Sequence, residues 1–342
     1  MKSPVNTGKP VIAITMGDAA GIGPEIIAKC LEHGEIYRIC NPLVIGDARV
    51  MADAVELVKA KSRIFEVSKP ENAKFACGNI DVLEPESGKV GRFERGRVNK
   101  NCGRSSVVFV KSAVRMCLDR QSKAMVTAPI SKASMNLAGF DYPGHTELLA
   151  ELTGSSLWAM MLVGGKFKVI LVTIHVALRE VTRLITKSRV ASVIRLAHNS
   201  GKFFGCENPR IAVAGLNPHS GEGGLFGNEE EEKIVPAIDA ARSEGVNAEG
   251  PLPPDTVFMR AKKGEFDIVV AMYHDQGSIP FKLIAFDKGV NVTLGLPIIR
   301  TSVDHGTAFD IAWKGKADTG SMSSAIAVAV RMLNGAGKNR TR

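Results

Sequence analysis

An α/β enzyme in two lobes is what the sequence predicts, and three observations carry that prediction. Short continuous apolar runs recur, VIAIT at Val11–Thr15, AMVT at Ala124–Thr127 and DIVVA at Asp267–Ala271. Such runs mark strands buried on both faces of a parallel sheet. Between them lie glycine-rich or polar turns and stretches with helical spacing. The length, 342 residues, exceeds the roughly 250–300 at which a single core stops growing.

Taken in order, Val11–Thr15 is the first strand, and Gly17–Glu25 (GDAAGIGPE) turns into a helix through Ile26–Leu31, with Pro24 in its first turn. Glycines there suit either a ligand cradle at a helix N-terminus or a tight structural turn. The spacing is not G-x-G-x-x-G, so it does not mark a Rossmann dinucleotide fold. Leu43–Asp47 reads as a strand, Ala48–Lys59 as a helix with Val50, Ala54, Val55 and Val58 inward, and Ile64–Val67 and Ile80–Leu83 as weaker strands. Gly78–Gly103 reads as a solvated excursion. Ser105–Arg120 has helical periodicity and delivers the chain to the strand Ala124–Thr127.

TAPISKAS (Thr127–Ser134) places hydroxyls and Lys132 at that strand's end. YPGHTELLAELTG starts a helix with His145 and Thr146, where an imidazole and a hydroxyl suit an anionic oxygen, or where Thr146 caps the helix. Ala159–Thr173 is a hairpin about Gly164-Gly165. Val176–Ile185 and Ser188–Phe204 read as helices, the second carrying a structural His198, and Arg210–Gly215 reads as a strand. The acidic run Glu229–Glu232 fits a helix start facing water better than a metal site. Asp255 and Thr256 precede a helix, as N-cap residues would, and Ser321–Leu333 closes the chain as an amphipathic helix.

The chemistry concentrates in Ala271–Asp310, which holds His274, Asp275, Lys282, Asn291, Arg300, Asp304, His305 and Asp310. That is more ionisable chemistry than a packing segment carries, and it reads as an active-site wall. Strand-then-histidine recurs: FKVILVT runs to His175, RIAVAG to His219 and DIVVA to His274. Three imidazoles on separate strand-end turns is the pattern of a three-histidine metal site, although a single histidine is more often a hydrogen-bonded structural residue.

The motifs TMGDAAGIGPE, VTAPISKA, YPGHTE, GLNPHSGEGGLFGNEE, PPDTVF, YHDQGSIPFK and NVTLGLPIIRTSVDHGTAFD, in this order from Thr15 to Asp310, resemble the 4-hydroxythreonine-4-phosphate dehydrogenase family of vitamin B6 biosynthesis. The resemblance implies a two-domain isocitrate/isopropylmalate dehydrogenase-like fold with mixed, mostly parallel sheets and an interdomain cleft. It places residues 1–133 plus 285–342 in a domain with dinucleotide-binding segments, and 134–284 in one with the metal ligands and dimer interface. It further implies a homodimer with the active site at the subunit boundary, and a divalent metal (Zn, Mg, Mn or Co) on His175, His219 and His274, one of them from the partner subunit. Substrate contacts carry over to His145, Thr146, Lys282, Asn291 and Arg300. NAD is the expected cofactor, with Gly295, His305, Gly306, Thr307, Ala308 and Asp310 as its contacts, since HGTAFD is similar to the adenine loop of the wider dehydrogenase group.

The implied reaction is oxidation and decarboxylation of a 4-phosphorylated hydroxy acid. A cation polarises the alcohol, nicotinamide carries the redox step, and Lys282 or Asp255 moves the proton. Asp275 fits a hydrogen bond that orients a metal ligand. HVALREV after the first histidine departs from the leucine-proline-leucine run of biosynthetic members. It is similar to the branch acting on D-threonate or D-erythronate 4-phosphate. A more distant relative oxidises a cis-dihydrodiol dicarboxylate, and a three-histidine metallohydrolase is the rival within enzymes.

Bulk composition narrows the alternatives. A net charge of +9 suits anionic ligands, but three tyrosines and two tryptophans give few stacking platforms, so nucleic acid is not the expected partner. Six scattered cysteines without a Cys-x-x-Cys pair argue for reduced thiols. No apolar run reaches the roughly 20 residues a membrane span needs. MKSPVNTGKP has no hydrophobic signal core, so the expected compartment is the cytoplasm.

Overall fold

The protein, seen as a computed structural model, is described over residues 8–338. Residues 1–7 and 339–342 lie outside the described residues, and with them most of the segment read above for a signal core. The chain forms two compact units, one comprising residues up to Ser155 together with Leu296–Leu333, the other Ser156–Gly295 with residues from Asn334 onward.

The first unit runs β1 (Val11–Thr15), α1 (Gly23–Glu32), α2 (Gly34–Ile39), β2 (Asn41–Ile45), α3 (Ala48–Leu57), β3 (Arg63–Val67), β4 (Asn79–Leu83), α4 (Lys100–Leu118), β5 (Ala124–Thr127), α5 (Lys132–Leu137) and α6 (His145–Thr153). Its strands lie in the order β3-β4-β2-β1-β5, and Arg300–Val303, from later in the chain, adds to the edge at β5. Every pairing is parallel. β1, β2 and β5 are buried throughout except at Val11, as their unbroken apolar runs require. Asp47 caps α3 by accepting from Val50 N, and Asn99 caps α4.

The second unit runs β6 (Ala159–Gly164), β7 (Phe167–Leu171), α7 (Leu178–Leu184), α8 (Lys187–Ser200), β8 (Ile211–Ala214), α9 (Val235–Ser243), β9 (Ala248–Leu252), α10 (Val257–Lys262), β10 (Ile268–Ala271), α11 (His274–Ala285) and β11 (Val290–Leu294). Strand order is β11-β6-β7-β10-β8-β9, with β6 antiparallel to both β11 and β7 and the rest parallel. Beyond β11 the chain continues as β12 (Arg300–Val303) and α12 (Gly320–Lys338). The expected mixed, mostly parallel α/β architecture is what the chain adopts.

Three local expectations need correction. The hairpin turns on Gly165-Lys166, because Gly164 pairs with Phe167, and Gly165 takes the positive φ. Gly78–Gly103 is not simply solvated: Val90 is buried, its amide donates to Asp47 Oδ2, and the last residues already belong to α4. Thr256 sits at the N-cap of α10, but its hydroxyl donates to Pro253 O and caps nothing. Helix α11 contains Gly277 and Pro280, both disfavoured inside a helix. Gly277 is there because a Cβ would lie 2.6 Å from Leu171 Cδ2 and 2.8 Å from Val169 Cγ1. The close approach lets Phe281 bury completely against the β6/β7/β10 core, worth about 1.5–3 kcal/mol.

Candidate active site

In the second unit, the three histidines leave the carboxyl ends of β7, β8 and β10, the edge where open α/β sheets bind ligands. Backbone and side-chain bonds tie these ends together. Thr173 donates from both N and Oγ1 to Met272 O. Gln276 Oε1 accepts from Met272 N at 2.6 Å, and its Nε2 donates to Gly215 O at 2.7 Å. The ring centres of His175 and His274 lie 5.6 Å apart. Two imidazoles sharing a cation at roughly 2.1 Å per nitrogen need ring centres about 5–6 Å apart, so this pair fits a metal. His274 Nδ1 is 2.7 Å from Asp275 Oδ1, and His219 Nδ1 is 2.9 Å from Glu222 Oε2. A carboxylate on Nδ1 fixes the tautomer and leaves Nε2 as the donor to a cation, which is the ordering role expected of Asp275. Among the described residues of one chain, no three such groups surround a common point. The pair His175–His274 is brought together, and His219 stands apart on an exposed turn.

A groove of ≈ 780 Å³ lies beside these turns, and His219, Asp255, Phe258, Met259, Asp275 and Leu283 are among its lining residues. Asp255 is exposed there. Lys282, in the last turn of α11, is also exposed. Asn291 is half-buried on β11, where its Nδ2 lies 3.0 Å from Met160 Sδ and its Oδ1 is buried without a hydrogen-bond partner. At Gly295 a Cβ would collide with Leu157 O, so the backbone there packs closely and needs glycine.

The first unit holds a different kind of site. Arg300 on β12 is only 2% exposed. Its Nε and Nη2 receive Thr127 Oγ1 as acceptor at 3.2 and 2.7 Å. Burial pushes the guanidinium down to about 9, with Glu147 opposing; it remains a cation at neutral pH, and a buried cation favours an anion. His145, first residue of α6, has a buried Nε2 without a partner, and burial together with the charge of Arg300 holds its pKa well below the usual histidine range. The N-cap of α6 is Gly144 and no side chain caps it, so Thr146 does not serve as the cap. A neutral imidazole, free helix amides and a buried guanidinium together suit phosphate or carboxylate.

The loop His305–Asp310 also belongs to the first unit. Ile22 N donates to Thr307 O, and Trp313 Nε1 to Ala19 O. The glycine-rich turn therefore supports this loop and is not itself a cradle: at Gly17 and Gly23 a Cβ would strike Pro129 O and Met16 O, and at Gly21 it would lie 2.9 Å from Thr307 Cβ. Its amides are used internally, Asp18 N by Pro129 O and Ala20 N by Asp18 Oδ1. His305, Gly306 and Asp310 face solvent, nothing lies within 4 Å of a Cβ on Gly306, and Ala308 takes a φ of 43°. An open backbone of this kind can meet a flat base, so the loop fits the adenine end of a dinucleotide.

Residues 38–329 match the family model described as "Pyridoxal phosphate biosynthetic protein PdxA". The chain belongs to the PdxA family. It is 46% identical over 333 residues to the 4-hydroxythreonine-4-phosphate dehydrogenase of Desulforapulum autotrophicum, covering 97% of this chain and 98% of that protein. To the D-threonate 4-phosphate dehydrogenase of Cupriavidus necator it is 47% identical, covering 93% and 95%. The crystal structure of 4-hydroxythreonine-4-phosphate dehydrogenase from Klebsiella pneumoniae superposes with a TM-score of 0.87 at 44% identity, over 96% of this chain and 99% of that one. A terephthalate 1,2-cis-dihydrodiol dehydrogenase from Burkholderia xenovorans stands further off, at 28% identity and a TM-score of 0.66, over 94% and 98%. PdxA membership thus rests on nearly the whole chain, and these PdxA relatives are dehydrogenases. No helix among the described residues is long and apolar enough to cross a membrane.

Sequence reasoning missed Thr127 as the partner of Arg300, Gln276 as a link between turns, and Glu230. The acidic run was read as facing water, yet Glu230 is 2% exposed and its carboxylate accepts from Leu216 N and Asn217 N, both at 2.7 Å. Its signal was the distance along the chain between GLNPH and NEEEE, which a closed loop would bring together.

Proposed function

We propose that this chain oxidises and decarboxylates a 4-phosphorylated hydroxy acid, using NAD and a divalent cation, as a homodimer. The observation that carries the reading is the His175–His274 pair with Asp275 on His274 Nδ1, a ligand geometry in a chain whose near-full-length relatives are named for phosphorylated hydroxy acids. His219 is the third ligand, and one of the three comes from a second copy. When bound, the cation supplies Lewis acidity toward the substrate hydroxyl and the nicotinamide accepts a hydride.

The chain's own residues do the rest. Arg300, His145 and Thr146 hold the anionic end of the substrate, and Asn291 orients it. Lys282 or Asp255 takes the hydroxyl proton and returns one to carbon after carbon dioxide leaves. His305, Gly306, Thr307, Ala308 and Asp310 seat the adenine end of NAD. Ile279, Leu283 and Phe286 are 58%, 83% and 75% exposed near His274 in sequence, and an apolar face of that kind suits a second copy of the chain.

Overall identity, 46% and 47% to the two activities, does not separate the substrates. The HVALREV segment favours D-threonate or D-erythronate 4-phosphate. Turnover followed by NADH absorbance on 4-hydroxy-L-threonine 4-phosphate, D-threonate 4-phosphate and D-erythronate 4-phosphate, with metal present and after chelation, tests the reading. Metal-dependent NADH with one of them supports it. Full activity after metal stripping, or phosphate release without NADH as from a metallohydrolase, defeats it.

A further inference from the structure

The turn that carries His219 is held in an unusual conformation, and the side chain that holds it belongs to none of the roles above. His219, Ser220 and Glu222 have φ of 51°, 59° and 46°, and Gly221 between them 84°. Three non-glycine residues in the left-handed region are costly, and such backbone persists only where surrounding contacts determine it. The chief contact is Glu230. Its Oε1 accepts from the amides of Leu216 and Asn217 at 2.7 Å each, and its Oε2 accepts from Asn217 Nδ2 at 2.9 Å. Glu229 Oε2 takes Asn217 Nδ2 as well, at 2.8 Å, and Ser220 N closes the turn on Asn217 O at 3.1 Å. A Cβ on Gly221 would lie 2.9 Å from Glu230 Oε2, so the turn folds directly onto this carboxylate. On the other side Gln276 Nε2 donates to Gly215 O.

We propose that Glu230, with Gln276 behind it, is a positioning residue for His219: it fixes the direction in which the exposed imidazole is presented. The imidazole is 64% exposed, and its side-chain contacts, Glu222 Oε2 on Nδ1 at 2.9 Å and the Phe226 ring at 6.2 Å, come from the same turn, so its aim depends on how the backbone of that turn is held. Charge-assisted bonds from a buried carboxylate to two adjacent amides are the strong form of such an anchor. The inference rests on the reading of His219 as a metal ligand.

The test measures binding of Mn²⁺ or Zn²⁺ to the metal-stripped full-length protein by calorimetry, alongside the melting temperature of the metal-free form, for E230A, E230Q, Q276A and H219A. Outer supports of metal ligands typically change affinity by about 10–100-fold. The expected result is that loss for E230A, a smaller loss for E230Q, which keeps one oxygen for the two amides, and an intermediate loss for Q276A. Should E230A not fold, E230Q and Q276A carry the measurement. Metal affinity within twofold of the parent in the folded Glu230 variant, while H219A binds poorly, overturns the positioning role alone. Unchanged affinity in H219A overturns the reading of the metal site itself.

Discussion

The buried Arg300 of the first unit and the histidine turns of the second make a useful contrast. Arg300 is 2% exposed and grips Thr127 across the parallel pair β12 and β5, whereas the His219 side chain is 64% exposed on a left-handed turn. A buried guanidinium has been desolvated by the folding of its own chain, so its interactions act in a low-dielectric setting without a second surface. The exposed imidazoles of His175 and His219 are not desolvated by their own chain. In the proposed function it is a cation and a second copy of the chain that exclude water from them and strengthen their interactions.

That contrast can be broken by substitution. His219→Ala is expected to lower metal-dependent NADH formation by about a thousandfold or more, equivalent to several kcal/mol of lost Lewis-acid stabilisation. Inorganic phosphate binding to the protein, read by calorimetry and proposed to involve Arg300, is expected to stay as in the parent; a parallel loss there would erase the distinction between the regions. Leu283→Asp places a charge on an apolar surface that is 83% exposed in one chain. Sedimentation should show monomers, with activity down by roughly a hundredfold, since burying an unpaired carboxylate at an interface costs several kcal/mol. A monomer of full activity would mean that the histidine region is complete without a partner.

Arg300→Lys keeps the charge but loses the fork. KM should rise by about 10–100-fold with metal affinity unchanged, from the loss of bidentate, charge-assisted bonds; a change in metal affinity instead would place Arg300 with the histidines. The smallest effect concerns Asp18, buried beneath the loop, whose carboxyl is raised by burial from 3.8 to about 6. Its folded pKa exceeds its unfolded one, so its contribution is fully present below pH 3.8 and is lost as pH rises through about 6. Relative to the parent, Asp18→Asn should therefore gain on the order of 5 °C in Tm between pH 4 and pH 7, at about 2–4 °C per kcal/mol. A flat difference across that range would show that the carboxyl does not titrate as its burial implies.

Much of the scaffold was legible because its signals are local. The strands at 11–15 and 124–127 and the helix starting at His145 follow from unbroken apolar runs and from a glycine before a periodic stretch. Helix α11 was not legible, because Gly277 looks like a breaker until Leu171 and Val169 are seen against it. Glu230 was misread for the same reason: among four consecutive glutamates, nothing local distinguishes the one that turns inward.

By itself the sequence determined the α/β class, the strand ends that carry His175, His219 and His274, and the helix start at His145, since each depends on the period and neighbours of a few adjacent residues. Only the tertiary structure decided that the glycine-rich turn supports the His305–Asp310 loop, that Arg300 and Thr127 are hydrogen-bonded in the interior, and that Glu230 and Gln276 grip the His219 turn. Those are contacts across tens to hundreds of residues, and burial and hydrogen bonding at such separations are set by how the layers pack.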